Sequence, residues 1–454
     1  MSSIAPLQAQ LASEHRVLLA YSGGLDSSVL LHQLVLLRSQ RPGLQLRAVH
    51  IHHGLSSLAD SWVAHCRQQC VQWQVPLEVV CVDVDARQGG IEAAARTARY
   101  HAFSELLLED ETLLTAQHLD DQSETLLLAL KRGSGPAGLA AMPQQHWLGA
   151  HRHLRPLLEQ SRQQLEAWAH QHHLTWIEDD SNSDARYDRN FLRLDVLPVL
   201  NARWPNFSRA VARSAALCGE QEQLLDELLS ESLASLVDAC GTLAIAPMLE
   251  MSDARRYALL RRWIAGQKGS MPSRDALRRL WQEVACSRED AEPRLRLGHY
   301  EVRRFRDRLY WLPLMQSLAG YQLAWPDAEQ PLTLPDGLGL LRLNNRGVAL
   351  RRPGPEEPLS VRFQAQGSFY IVGRAGRRPL KKLWQELAIP PWQRERTPLI
   401  FYGDRLIAAA GVFVTRDGAP DSPETTWNID WCRENNKMEI GDEGQTDSGA
   451  AAKL

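Results

Sequence analysis

The stretch YSGGLDSS, residues 21–28, decides the fold. It joins an apolar run, RVLLA at 16–20, to a longer one, VLLHQLVLL at 29–37, and so turns a buried strand into a buried helix. Gly23 and Gly24 let the backbone fold close to a ligand. The hydroxyls of Ser22, Ser27 and Ser28 can donate to phosphate oxygens, and main-chain N–H groups at the helix start add fixed positive ends. Neither the GxxxxGK[ST] spacing of a Walker loop nor GxGxxG is present. A Gly-Gly turn with a serine cap would explain the glycines and serines but not Asp26. A carboxylate beside an anion site makes sense mainly as a magnesium ligand.

Working outward, short apolar runs at 16–20, 46–52, 77–84 and 112–116 alternate with helix-like segments at 28–38, 57–73 and 91–108. That alternation predicts an α/β fold, a parallel sheet with helices on both faces, whose ligands bind at the carboxyl ends of the strands. YSGGLDSS, HIHHG and HLDDQ all fall at such ends. SRQQLEAWAHQHHL (161–174) reads as a helix capped by Ser161, and TWIEDD as a further strand and its end.

From about 206 the period changes to long amphipathic patterns, followed by RLRLGHYEVRRF and RLYWLPL, which suggest a β-hairpin. The expected organisation is a catalytic domain at 1–205, a mainly helical module with a hairpin at 206–315, a linker and entry at 316–345, a small α+β domain at 346–432 and a disordered tail at 433–454.

The 454 residues are too many for one core and carry a formal net charge of −3, which on its face argues against a polyanionic partner. The average hides arginine clusters at 294–308 and 374–382, and local fields count for more than the sum. No apolar span is long enough to cross a membrane and no signal-peptide order opens the chain, so the expected location is the cytoplasm. Seven scattered cysteines form no CxxC pair, and Cys66 and Cys70 read as core residues on a helix.

HLDDQSET (118–125) supplies the second cluster. Asp121 and Glu124, three apart, share a face of a helix that begins nearby. Helix capping accounts for part of this. Four acidic or histidine side chains in seven residues exceed what capping needs and suggest a site for a cationic substrate or a second metal. Arg96 and Arg99 lie on the helix upstream, where arginine can clamp a phosphate or a carboxylate. Downstream, EDDSNSDARYDRNFLR (178–193) mixes acids, amides and arginines.

The loop resembles that of the PP-loop ATP pyrophosphatases, a Rossmann-like superfamily that cleaves ATP between its α- and β-phosphates. SGGLDSS, HIHHGL, EAAARTARY, HLDDQSET, RPLL and EDDSNSDARYDRNFLR, in that order, with KKLWQELAIPPWQRERTPLI at 381–400, resemble the tRNA(Ile)-lysidine synthetase family over nearly the whole chain to about 432. The resemblance implies a ligase that adenylates the position-2 carbonyl of the wobble cytidine in CAU-anticodon isoleucine tRNA, then replaces AMP by the ε-amino group of L-lysine.

It also implies site roles. Ser22, Gly23, Gly24, Leu25, Ser27 and Ser28 would hold pyrophosphate, Asp26 would hold Mg2+, and the main chain of His50 to His53 would border adenine. Arg96, Asp121 and Glu124 would receive lysine, with a carboxylate or His118 as base. Arg186, Arg189 and Arg193 would face the splayed cytidine. Arg303, Arg304, Arg377, Lys381 and Lys382 would grip tRNA, with Trp384 and Trp392 packed in a core or stacked on bases. The partners are tRNA and lysine, with no membrane, and the enzyme would be a monomer or a homodimer. The rival readings are a PP-loop tRNA thiolase, which usually needs nucleophilic cysteines, and a non-catalytic tRNA-binding protein.

Overall fold

The computed structural model describes residues 4–433 except 55, 57, 85–90, 179–183, 289–290 and 421–425, together with the side chains of 92, 345 and 346. Most of the expected tail, 434–454, lies outside the described residues, as does the middle of EDDSNSDARYDRNFLR. Two compact units divide the chain near residue 228.

The first unit opens with α1 (Ala5–Gln10) and continues as β1 (Arg16–Ala20), α2 (Leu25–Gln40), β2 (Gln45–His52), α3 (Ala59–Gln72), β3 (Leu77–Cys81), α4 (Ile91–Leu106), β4 (Glu111–Leu114) and α5 (Leu119–Lys131). After α6 (Pro136–Leu139), the strands β5 (Gln145–Leu148) and β6 (His151–Leu154) form a hairpin before α7 (Arg162–Gln171). The sheet order is β3-β2-β1-β4-β6-β5, parallel except for edge strand β5. β1 therefore lies between β2 and β4, which makes its carboxyl end the switch point where ligands bind in such sheets.

α2 forms because apolar residues fill both its inner turns. Val29, Leu30, Leu31, Leu34 and Leu37 are all buried against Leu19, Leu165 and Trp168, and Pro42 follows the helix end. α7 begins at Ser161 as expected, with the serine hydroxyl accepting from Gln164 N at 3.3 Å and Gln164 Oε1 accepting from Ser161 N at 2.8 Å. TWIEDD forms no strand among its described residues. Its described part, Thr175–Glu178, is irregular because it is spent on the loop after β1: Ile177 N donates to Gly23 O at 2.9 Å and its side chain packs under that glycine. The β5–β6 hairpin has no counterpart in the sequence reading, because HWLGAHRHL carries too few apolar residues to show a strand period.

Beyond α7 come α8 (Asp188–Phe191), a π turn (Leu192–Val196) and α9 (Leu197–Arg203), whose Pro198 lacks the N–H that would continue a regular ladder. The long α10 (Phe207–Leu236) packs Val211 and Ala215 against Leu126 of α5.

The second unit holds at least three hydrophobic cores among its described residues, one of them around Leu380, Leu383, Trp384 and Phe413. Another gathers Leu259, Trp263, Leu277 and Trp281 from helices against a four-stranded sheet that includes Arg294–Leu297, Tyr300–Phe305 and Arg308–Pro313. The expected single hairpin is thus two successive hairpins sharing Tyr300–Phe305. A third gathers Trp325, Ala328, Leu334, Leu341 and Ile400, so the 327–339 stretch contributes directly to it. Among the described residues no helix is long and apolar enough to cross a membrane.

Candidate active site

The loop after β1 is built for close approach. Gly23 has φ +84°, and a Cβ there would stand 2.7 Å from Ile177 Cδ1 and 2.8 Å from Cys66 Sγ, so only glycine fits. Gly24 is the N-cap of α2 and supplies no capping side chain. The first N–H groups of α2 are thereby left to a ligand rather than to the protein's own oxygens. Ser22 Oγ and Ser27 Oγ lie 3.0 Å apart at the mouth. Ser28 faces inward: it is 1% exposed, and its hydroxyl donates to Gly23 O at 3.3 Å beside the Tyr21 hydroxyl.

Asp26, in the first turn of α2, faces an arginine and a histidine. Arg162 Nη1 lies 3.3 Å from Oδ2 and His118 Nε2 lies 3.6 Å from it. Burial pushes the Asp26 carboxyl above its ordinary range, and His118 and Arg162 pull it partly back. Arg162 had no motif to announce it in the sequence.

His118 is the hinge between the two clusters. It is 1% exposed, and its Nε2 reaches Asp121 Oδ2 at 3.5 Å as well as Asp26. Its Nδ1 accepts from Asp120 N at 3.2 Å while Asp121 Oδ2 accepts from His118 N at 3.0 Å, a reciprocal cap on α5. The lone pair of the neutral imidazole is therefore spent on the cap, and the N–H is left pointing at the two aspartates. Asp120 is structural: it accepts from Arg162 N at 2.7 Å and from Ser208 Oγ at 3.3 Å, tying α5 to α7 and α10.

Asp121 and Glu124 share a face of α5 and both meet Arg193, which the π turn carries inward. Arg193 Nε donates to Glu124 Oε1 at 2.7 Å, and its Nη2 donates to Glu124 Oε2 at 3.1 Å and Asp121 Oδ1 at 3.2 Å. Arg189 Nε stands 3.8 Å from Glu124. Glu124 is fully buried, which raises its carboxyl, and the Arg193 bond offsets part of that. Two arginines expected at a tRNA-facing opening thus lie on the acids expected to receive lysine. Arg186 is exposed and paired with Asp184 at 2.7 Å.

The remaining expected residues are dispersed. His50 is buried, its Nδ1 within 3.0 Å of Tyr21 O and 3.4 Å of Cys66 Sγ, and burial lowers its pKa. His53 lies 3.3 Å from Arg99 Nη2, and burial with that cation brings it down to about 4. Arg96 is exposed over the Tyr100 ring at 4.9 Å. Burial pushes Cys66 and Cys70 up to about 12, where neither thiol is a nucleophile at neutral pH.

In the second unit Arg303 is bound to Glu301 and lies 5.6 Å over Trp392, and Arg304 donates to Ser287 O and to Arg306 O. Arg377, Lys381 and Lys382 are exposed. Trp384 and Trp392 are buried, Trp392 against Phe305 and Tyr310.

Among the described residues no group of three His, Cys, Asp or Glu could close around a metal. Magnesium needs less, since one carboxylate with waters and substrate phosphates suffices. A hard-oxygen donor at Asp26, beside an uncapped helix start, fits it.

Comparison with known proteins agrees along the chain. A PP-loop domain model matches residues 2–200, a TilS substrate binding domain 243–310 and a TilS substrate C-terminal domain 359–431. The tRNA(Ile)-lysidine synthase of Serratia proteamaculans is 63% identical over 427 residues, 94% of this chain and 98% of that one. That of Pectobacterium atrosepticum is 61% identical over 93% of this chain and 96% of that one. Among solved structures, a U34-tRNA thiolase from Methanococcus maripaludis overlays at TM-score 0.41 and 15% identity, over 47% of this chain and 76% of that one, too loosely to argue from.

Proposed function

Because the chain belongs to the tRNA(Ile)-lysidine synthase family, we propose that it ligates L-lysine to the wobble cytidine of CAU-anticodon isoleucine tRNA at the expense of ATP. The cytidine O2 attacks the α-phosphorus of ATP and pyrophosphate leaves. The lysine ε-amino nitrogen then forms a bond to C2, the C2–O bond to AMP breaks, and the ammonium gives up its protons.

The observation that carries this reading is His118 Nε2 standing within 3.6 Å of Asp26 and 3.5 Å of Asp121. It joins an anion-ready helix start to a pair of acids in one site. Ser22, Gly23, Gly24, Leu25 and Ser27 would hold the pyrophosphate by main-chain N–H groups and two hydroxyls, with Ser28 bracing the loop from below. Asp26 would hold Mg2+, which supplies charge neutralisation at the phosphates. The main chain of His50 to His53 would border adenine.

Asp121 and Glu124 would receive the lysine amino group, and Arg96 its carboxylate. His118 has no lone pair to offer while it caps α5, so a carboxylate takes the proton, and the raised Glu124 is the better matched. Arg186, Arg189 and Arg193 would stand by the cytidine. Arg377, Lys381 and Lys382, exposed in the last module, would grip the tRNA backbone, with Arg303 and Arg304 adding less because their donors are already engaged. We assign the catalytic domain to 1–205, the hairpin module to 206–315 and the last tRNA-binding domain to 346–432, entered through 316–345, whose Trp325, Leu334 and Leu341 already belong to its core, acting in the cytoplasm as a monomer or a homodimer.

The test mixes protein, Mg2+, ATP and labelled lysine with the tRNA, then digests the tRNA. Label on the wobble nucleoside, lost in Asp26→Ala, is expected. Pyrophosphate released with tRNA but without lysine incorporation would overturn the lysine reading.

A further inference from the structure

A second charged cluster lies at the carboxyl end of β6, the neighbour of the strand β4 that precedes α5. Arg155, the first residue after β6, is 5% exposed, and no carboxylate lies within ion-pairing distance of it among the described residues. Its Nη1 donates to Pro143 O at 2.6 Å, while its Nε is buried without a partner. The side chains whose fields act on it are Tyr100 and Arg96, a second cation. Among the described residues Arg96 is in no ion pair, and it lies over the Tyr100 ring at 4.9 Å.

Beneath them His153, 0% exposed, has Nε2 2.7 Å from Thr115 Oγ1 and its Nδ1 unpartnered. Burial and the two arginines bring His153 down to about 3, so it stays neutral and does not relieve the cluster. A buried guanidinium is kept in a protein when something anionic compensates its lost hydration. Here the described residues bring a second cation and no anion.

The cluster is linked to the candidate site through flanking residues. Thr115 leads from β4 to His118 three residues on. Gln122, next to Asp121, exchanges hydrogen bonds of 2.7 and 2.9 Å with Met142, and Arg155 bonds the adjacent Pro143. An anion held here would therefore belong to a molecule whose other end lies at α5.

We propose that Arg155, with Arg96 and the Tyr100 hydroxyl, forms a carboxylate clamp that makes the enzyme select an α-amino acid over a simple diamine. This rests on the lysine-ligase reading and deepens it. Arg155 is the specificity-determining residue, because its charge is held from behind by Pro143 O. Arg96, exposed on the surface of α4, closes over the ligand. The acids of α5 alone would accept any primary amine.

The test uses the full-length protein with Mg2+, ATP and tRNA, and compares L-lysine with cadaverine, which has the same terminal amines and no carboxylate. In the wild type, KM for lysine should lie well below that for cadaverine. Arg155→Met should raise KM for lysine about 30-fold and leave cadaverine within about twofold, since a charge-assisted hydrogen bond contributes about that much. Arg96→Gln, on an exposed residue that spares the fold, should do the same at about tenfold.

A loss that is equal for both amines would overturn the clamp and make Arg155 a brace for the 142–144 loop. Should Arg155→Met fail to fold, an unchanged lysine-to-cadaverine ratio in Arg96→Gln would overturn it equally. Failure of the wild type to incorporate lysine while releasing pyrophosphate would instead strike the ligase reading beneath it.

Discussion

Two helices start at the candidate site, and they start differently. α2 begins at Gly24 with no side chain bonded to its first N–H groups, whereas α5 begins at His118, which caps it reciprocally with Asp121. An uncapped start in a buried place keeps donors in reserve for an anion. A capped start has spent them, so whatever chemistry it hosts must come from side-chain charge. The site therefore has a main-chain half, for phosphates, and a side-chain half, where Asp121 and Glu124 face Arg193.

The largest effect should come from removing the one carboxylate in the main-chain half. Asp26→Asn should lower pyrophosphate release by about a thousandfold, the scale of a lost electrostatic group at a reacting phosphate. The fold should be no less stable. Burial raises this carboxyl, so its ionised form costs stability above that pKa, and asparagine removes the cost. Pyrophosphate release and thermal unfolding, measured together, check both halves. Release that persisted would mean that the α2 main chain suffices.

In the side-chain half the expected effect is on stability. Arg193→Met would leave Glu124 buried without its bidentate partner and should cost about 3 kcal/mol near neutral pH. A carboxyl raised in the fold binds its proton more tightly there than in the unfolded chain. The penalty is thus fully present above the folded pKa and is relieved as pH falls through it. Denaturant unfolding at pH 8 and pH 5 should show that recovery, and adding Glu124→Gln to Arg193→Met should abolish the pH dependence. A penalty that is equal at both pH values would place the damage in the packing of the π turn.

Much of the main-chain half was legible because its signals are local. Gly-Gly between two apolar runs marks a turn into a helix, and Asp26 in that turn marks an anion site. The side-chain half was only half legible. Spacing put Asp121 and Glu124 on one face, but their partners come from residues 189 and 193, some seventy positions on. Arg162 gave no local sign, and Arg155 stood only as the first residue of RPLL with no role attached, since an arginine's meaning lies in what surrounds it. Ser28 looked like Ser22 and Ser27 in the sequence, and only the helix geometry turns it inward. TWIEDD looked like a strand because its apolar residues are real, but Ile177 spends them beneath Gly23 rather than in the sheet.

The smallest effect separates capping from chemistry at His118. His118→Ala removes the acceptor for Asp120 N and should cost about 1 kcal/mol, the usual worth of a cap. His118→Asn supplies another oxygen acceptor at the same position and should return most of it. No equivalent loss is available at Gly24, where there is no cap to remove. If lysine ligation per folded molecule returns with Asn, the imidazole acts by holding α5 and orienting Asp121. If Asn restores stability but not ligation, and the pH–rate profile loses a limb, the imidazole exchanges protons with the site. The two helix starts would then differ less than their hydrogen bonds imply, since the capped one would also release a group for catalysis.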